Sequence, residues 1–290
     1  MEFNLVFIEI MLKNAFFIGC LFVFFSLSFF LSDVLADEEL VVEQAKLNTE
    51  DAGPVEVGHF EFETGYNFSG VNRFFSTSGA KESRGRLREH AVHFGLAMGL
   101  TEQAELNFEM GYVDLLDKEF ESAPQGHGWT DLEIGSKILI YHSSEFDLSY
   151  APSVVIPSGR ESRSDRLGPG NDSTFLNQRG IFSKNWGRWN TNLDSGYALP
   201  IGNRKGNRGT WDANFAIGYQ VFNWLQPAIE FNFAHDFVAH GDDADLFSMT
   251  GEFIMPLCDW VRVDLGVSQG LAGANTPQTT NVSVAITLFI

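Results

Sequence analysis

From about residue 58 onward, apolar side chains recur at every second position. Near the C-terminus Val261, Val263, Leu265 and Val267 alternate with Arg262, Asp264, Gly266 and Ser268. After a loop with Gly270, Gly273 and Pro277, the residues Val282, Val284, Ile286, Leu288 and Ile290 alternate with Asn281, Ser283, Ala285, Thr287 and Phe289. Period two marks a strand whose two faces meet different surroundings. Ten earlier segments repeat the pattern. The first sets Phe60, Phe62, Thr64, Tyr66 and Phe68 against His59, Glu61, Glu63 and Asn67, and the third sets Leu106, Phe108, Met110 and Tyr112 against Glu105, Asn107 and Glu109. The sixth, Thr174 to Trp186, alternates poorly because Phe175-Leu176 and Ile181-Phe182 are adjacent, which suggests a bulge.

The connections between the twelve candidates alternate in length. Short turns fall at Thr101-Glu102, His142 to Ser144, Asn185 to Arg188, Asn223-Trp224 and Cys258-Asp259. Longer loops fall at 69–85, 115–127, 158–172, 200–209, 239–244 and 270–278. Outer-membrane barrels have short periplasmic turns and longer outside loops. Trp186, Trp189, Trp224 and Trp260 fall at the short-turn end and Trp129 and Trp211 at the loop end, as interfacial girdles require. The pattern predicts an all-β fold, a closed antiparallel transmembrane β-barrel of about twelve strands over residues 55–290.

Mean hydropathy is near zero, as expected when half of every strand is polar. The 290 residues carry a formal charge of −19 with only 19 Lys and Arg, which argues against nucleic-acid binding. The apolar run Phe16 to Leu31, Lys13 before it and Val34-Leu35-Ala36 after it read as a signal peptide over residues 1–36, with Met1 or Met11 as the start. A membrane-anchoring helix and a lipoprotein acylated at Cys20 are the rival readings. Cleavage would remove three acids and one base, leave a charge of −17, and leave Cys258 without a disulfide partner. Residues 37–54 read as an acidic periplasmic lead-in. Leu40-Val41-Val42 within it is faintly similar to the energy-coupling box of large receptors, although no plug-sized domain follows.

The polar faces predict an acidic lumen lined by Glu61, Glu63, Glu105, Glu109, Asp131, Glu133, Lys137, Asp147, Asp194, Asp212, Glu230 and Asp264, with Arg179, Lys184 and Arg262 as further bases. Carboxylate rings favour cations or neutral polar solutes. The rival reading is a plugged, hydrogen-bonded interior without flux. Inward glycines (Gly95, Gly99, Gly111, Gly135, Gly196, Gly218 and Gly266) would leave room for a pathway or an inserted loop, or ease strand coiling.

No cofactor or metal is expected. His142-Ser143-Ser144 and His93 are the candidates for a lipase-like site, yet no orienting acid and no Gly-x-Ser-x-Gly accompany them, so enzymatic activity is not expected. His235, His240 and the acids Asp236, Asp242, Asp243 and Asp245 could attract Ca²⁺, but a solvated acidic loop fits better. Three arginine-rich groups (Arg84, Arg86, Arg88; Arg160, Arg163, Arg166; Arg204, Lys205, Arg208) sit in or beside long loops, where outer-membrane lipids and the phosphates of lipopolysaccharide are potential partners; solvated loop charge is the equal rival reading.

Gly128-Trp-Thr-Asp-Leu-Glu-Ile-Gly-Ser-Lys137, followed by Tyr150-Ala-Pro-Ser-Val-Val-Ile-Pro-Ser-Gly159, resembles the tandem G-x-x-D-x-x-x-G-x-K and Pro-(Thr/Ser)-Gly motifs of a bacterial outer-membrane transporter family labelled "putative MetA-pathway of phenol degradation". The resemblance spans about residues 56–290. It implies a twelve-stranded barrel, delivered by the barrel assembly machinery, that passes small solutes, aromatic or hydrophobic ones among them. The chain departs from the usual terminal aromatic, since Phe289 precedes a final Ile290.

Overall fold

The computed structural model describes residues 46–118, 125–159, 168–170, 173–201, 207–239 and 241–290. Among the described residues thirteen antiparallel strands are present: β1 (Phe60–Phe75), β2 (Lys81–Thr101), β3 (Ala104–Asp117), β4 (Gln125–Trp129), β5 (Leu132–His142), β6 (Asp147–Ile156), β7 (Thr174–Trp186), β8 (Trp189–Ile201), β9 (Asn207–Tyr219), β10 (Gln226–Val238), β11 (Ala244–Cys258), β12 (Val261–Ala274) and β13 (Thr276–Phe289). Consecutive strands pair except β4 with β5, and β1 pairs with β13 from Glu61↔Phe289 to Phe75↔Thr276, which closes the sheet. Beyond that ladder, Phe60 and Ile290 exchange backbone bonds of 2.8 and 2.9 Å. A closed sheet leaves no unpaired edge for lipid to meet.

Both β4 and β5 pair with β3, at Tyr112–Leu116 and Ala104–Glu109 respectively. They are two halves of one strand interrupted at Thr130-Asp131, so the barrel has twelve strands around its circumference. At the break the Thr130 hydroxyl accepts the Gly111 N–H at 2.7 Å, and Thr130 N–H donates to the Gly111 carbonyl at 2.8 Å.

The alternation fixes which side faces lipid. Leu96, Ile138, Leu193, Val267 and Ile286 are exposed on the outer face, whereas Glu105, Asp194, Glu230 and Asp264 are buried on the inner one. A surface this apolar is unsuited to water and suited to hydrocarbon. Trp186, Trp224 and Trp260 are exposed at the short-turn end, and Trp129 and Trp211 near the other. No described helix is long and apolar enough to cross a membrane.

Two expectations are corrected. The sixth candidate strand, now β7, has no register shift toward either neighbour. Its apparent irregularity comes from Ile181, which faces inward and is fully buried, rather than from a bulge. Several expected long loops are strand extensions instead. The span 69–85 is mostly the β1–β2 hairpin, and the expected loop 270–278 reduces to Asn275 between β12 and β13. Asn275 has φ of 51°, a conformation asparagine tolerates better than most residues. Gln269 and Gln278 side chains replace lost ladder bonds by donating to the Gly270 carbonyl at 3.1 and 2.8 Å.

Candidate functional site: an acidic lumen crossed by the N-terminal segment

The described part of the expected periplasmic lead-in does not lie beside the barrel. Residues 46–57 run across its interior and bond to inward side chains of at least six strands. Leu47 N–H donates to Glu252 at 3.0 Å. Asn48 N–H and Nδ2 donate to Glu230 at 3.1 and 2.8 Å, and Thr49 N–H and Oγ1 both donate to Glu230 at 2.6 Å. Glu50 N–H donates to Asp194 at 2.9 Å, Ala52 N–H to Ser183 at 2.9 Å, and Val55 N–H to Glu105 at 2.7 Å. In return the Ala52 carbonyl accepts from Ser149, and the Gly53 carbonyl accepts from Lys137 at 3.2 Å. Thr49 and Ala52 are fully buried. Backbone amides are donors that must be satisfied away from bulk water, and lumen carboxylates are acceptors in excess, so each group completes the other. Most of these acceptors lie on the short-turn half of their strands, which places the segment nearer that end.

Glycines make the crossing possible. A Cβ on Gly99 would collide with the carbonyls of Glu56 and Val55, and one on Gly266 with Leu47. Of the readings open for the inward glycines, these two serve an inserted segment. Gly196 instead leaves room for the Arg179 guanidinium.

The inner charges are only partly cancelled. Arg179 pairs with Asp194, with Asp212 at 2.9 Å and with Glu50 at 3.3 Å. Lys137 lies 3.6 Å from Glu105. Arg262 lies 3.0 Å from Asp264 and 3.8 Å from Glu63, and its guanidinium stands 5.5 Å from the Phe289 ring centroid. That stacking accounts for an aromatic residue on an otherwise polar face. Glu133 accepts from Ser153 and from Asn177 at 3.1 Å, and Glu63 contacts His93 at 3.0 Å.

All twelve predicted lumen residues occupy inward positions, but Lys184, expected as a further lumen base, follows the inward Ser183 onto the outer face, 5.6 Å from the Trp186 ring centroid, and the structure sorts the twelve into groups. Glu61, Glu63, Glu105, Glu109, Glu133 and Lys137 line one cavity of about 370 Å³ together with Glu50 and Arg179. Six carboxylates face two bases there. A second cavity of about 560 Å³ shares Glu63, Glu109 and Glu133, adds Asp131, and is walled also by Leu47, Val113, Val155 and Pro169. Asp194, Asp212, Glu230 and Asp264 are instead engaged by Arg179, Arg262 or the N-terminal segment. Asp147 sits at the short-turn rim, 2.6 Å from His142.

The tandem motifs form one clasp at the strand break. The Gly159 N–H donates to Asp131 at 2.8 Å, and Ser158 Oγ accepts the Leu132 N–H at 3.0 Å. A Cβ on Gly159 would meet the Trp129–Asp131 backbone, and one on Gly135 would meet Asn107. Lys137 ends the motif in the lumen.

The other candidates are committed locally. Ser143 Oγ donates to the Phe146 carbonyl at 3.1 Å and accepts two backbone amides, which makes it a turn-forming hydroxyl. His235 contacts Asp245 at 2.6 Å and Asp243 at 3.7 Å, and no group of three or more metal-binding side chains forms among the described residues. The signal-peptide region, His240, Arg160, Arg163, Arg166, Arg204 and Lys205 lie outside the described residues. Sequence reasoning missed the inserted segment and Glu252. The excess of inward carboxylates over inward bases was the available signal that donors must come from elsewhere in the chain.

The fold is similar to solved outer-membrane barrels. The COG4313 outer membrane channel from Pseudomonas putida F1 aligns at TM-score 0.75 and 15% identity, covering 84% of this chain and 100% of that one. A KdgM porin in complex with disordered oligogalacturonate aligns at TM-score 0.50 and 9% identity, over 79% of this chain and 98% of that one. The NanC porin aligns at TM-score 0.50 and 6% identity, over 77% and 98%. No curated protein is significantly similar in sequence. These likenesses show the fold, a closed antiparallel β-barrel of the kind found in solved outer-membrane proteins. The profile of the family described as "Putative MetA-pathway of phenol degradation" matches residues 98–286, and the chain belongs to that family.

Proposed function

We propose that the protein is a passive outer-membrane channel or uptake protein for small solutes, with its N-terminal segment as the constriction. The observation that carries this reading is the 370 Å³ cavity in which six carboxylates face two bases. Excess negative charge in a confined, low-dielectric passage favours cations, tolerates neutral solutes and repels anions. The larger cavity, with Leu47, Val113, Val155 and Pro169 in its wall, supports solutes that also carry an apolar or aromatic part, in line with the family's description. The test is the reversal potential of the purified barrel in a planar bilayer under a salt gradient. Cation preference that falls in Glu61→Gln plus Glu109→Gln supports the reading. An anion-selective barrel, or a folded and heat-modifiable barrel that passes neither ions nor small neutral solutes, sinks it in favour of a plugged structural role.

A further inference from the structure

The outer face of β1–β4 carries a second chemistry. The registers of these strands stack outward residues in rows. One row is Tyr66, Val92, Tyr112 and Trp129. Tyr112 and Trp129 meet edge to face at 5.4 Å. This row is the upper edge of the apolar band, because Leu100, Met98, Leu96 and Phe94 lie below it on β2. A strand tilted by roughly 40° climbs about 2.5 Å per residue along the membrane normal, so nine or ten residues cover a band about 25 Å tall.

In the first row above the edge the exposed Asp114 stands between His90 and His127, and beyond that row the surface turns basic. His90 is next on β2, followed by Arg88 and Arg86. Lys118 lies directly beside Arg86, since its N–H donates to the Arg86 carbonyl at 3.0 Å. Arg86, Arg88 and Lys118 are all exposed. None of the three has an ion pair among the described residues. The contrast with their neighbours is sharp. Arg84 on the same strand pairs with Asp117 at 2.8 Å, and Lys137, Arg179 and Arg262 all pair with carboxylates. In a chain of net charge −19, three adjacent cations without an ion pair, offset on this face only by Asp114 one row below, repel one another and attract an anion from outside the chain. Arg88 stands four residues above the aromatic row, about 10 Å along the normal, within reach of the headgroup layer for a long side chain.

We propose that Arg86, Arg88 and Lys118 cradle the phosphates of an outer-leaflet phosphoglycolipid of the lipid A type. Tyr66, Tyr112 and Trp129 support its interfacial portion. The commitment to a lipid, rather than free phosphate, rests on continuity of the basic patch with the aromatic row and the apolar band. It requires the outer-membrane location but not the channel reading.

The test uses the purified full-length barrel in detergent, titrated with bisphosphorylated lipid A in mixed micelles. Bound lipid is counted by native mass spectrometry. The parent should retain lipid A, and Arg86→Gln/Arg88→Gln/Lys118→Gln should bind it at least tenfold more weakly. Arg86→Lys/Arg88→Lys should retain most of the binding, and Arg208→Gln, an exposed arginine elsewhere, all of it. Dephosphorylated lipid A should bind weakly to every form. A folded triple variant that binds like the parent overturns the proposal. So does equal binding of the dephosphorylated lipid, which would mean annular apolar contact only, or full competition by millimolar inorganic phosphate, which would mean a free-anion site. Should the triple variant not fold, the phosphate-free arm and Arg88→Gln alone decide between the same outcomes.

Discussion

Replacing Glu230 should loosen the N-terminal segment without unfolding the barrel. Glu230 is fully buried and accepts four hydrogen bonds from Asn48 and Thr49, between 2.6 and 3.1 Å long. A hydrogen bond to a charged acceptor contributes about 1.5–3 kcal/mol net. Four bonds to one carboxylate are far from additive, and water entering a vacated lumen would satisfy some freed donors. A net loss of about 3 kcal/mol for Glu230→Ala is therefore a conservative figure, and at 1.4 kcal/mol per decade it raises the undocked fraction on the order of 10²-fold. Glu230→Gln keeps one acceptor oxygen and should give roughly a tenfold rise. The readout is labelling of Ala52→Cys by a bulky charged maleimide, with the exposed Cys258 replaced by Ser. Ala52 is fully buried while the segment is docked, so labelling reports the undocked population when redocking is fast. Labelling within twofold of the parent rate, in a barrel that remains heat-modifiable, would refute the reasoning.

Other consequences follow from particular contacts. Gly99→Val should displace the segment, because its side chain would occupy the place of the Glu56 and Val55 carbonyls; labelling of Ala52→Cys should rise as it does for Glu230→Ala. Arg179→Met should destabilise the barrel by about 3–5 kcal/mol by leaving the buried Asp194 without its cation, and adding Asp194→Asn should restore part of the loss in urea unfolding. Gly159→Val should lower the thermal midpoint of unfolding, since its side chain would collide with the backbone at Trp129–Asp131, whereas Ser158→Ala, which removes one hydrogen bond, should cost only about 0.5–1.5 kcal/mol.

The barrel was legible because a strand with lipid on one side and a polar lumen on the other writes its orientation into every residue. Glu61, Glu109 and Glu133 could be placed on the inner face from period alone. The exceptions were not legible, because a tertiary partner decides each of them. Ile181 looks like a break in pattern until its burial on the inner face is known. Phe289 looks misplaced until Arg262 is found against it. The strand extensions around Asn275 read as loop in sequence because glycine and proline there signal turns, whereas glutamine side chains supply the missing ladder bonds. The inserted segment was the largest omission. Residues 46–57 have no period, and their place is set by carboxylates up to 205 residues away in sequence.

The most direct test of the central claim compares planar-bilayer conductance of the purified barrel with that of the same barrel lacking residues 46–57. Small or infrequent conductance steps are expected from the barrel with its segment in place. Larger, cation-selective steps are expected once the segment is gone and its carboxylate partners are released to the lumen. Equal conductance from two folded barrels, or steps in the shortened chain without cation preference, would contradict it.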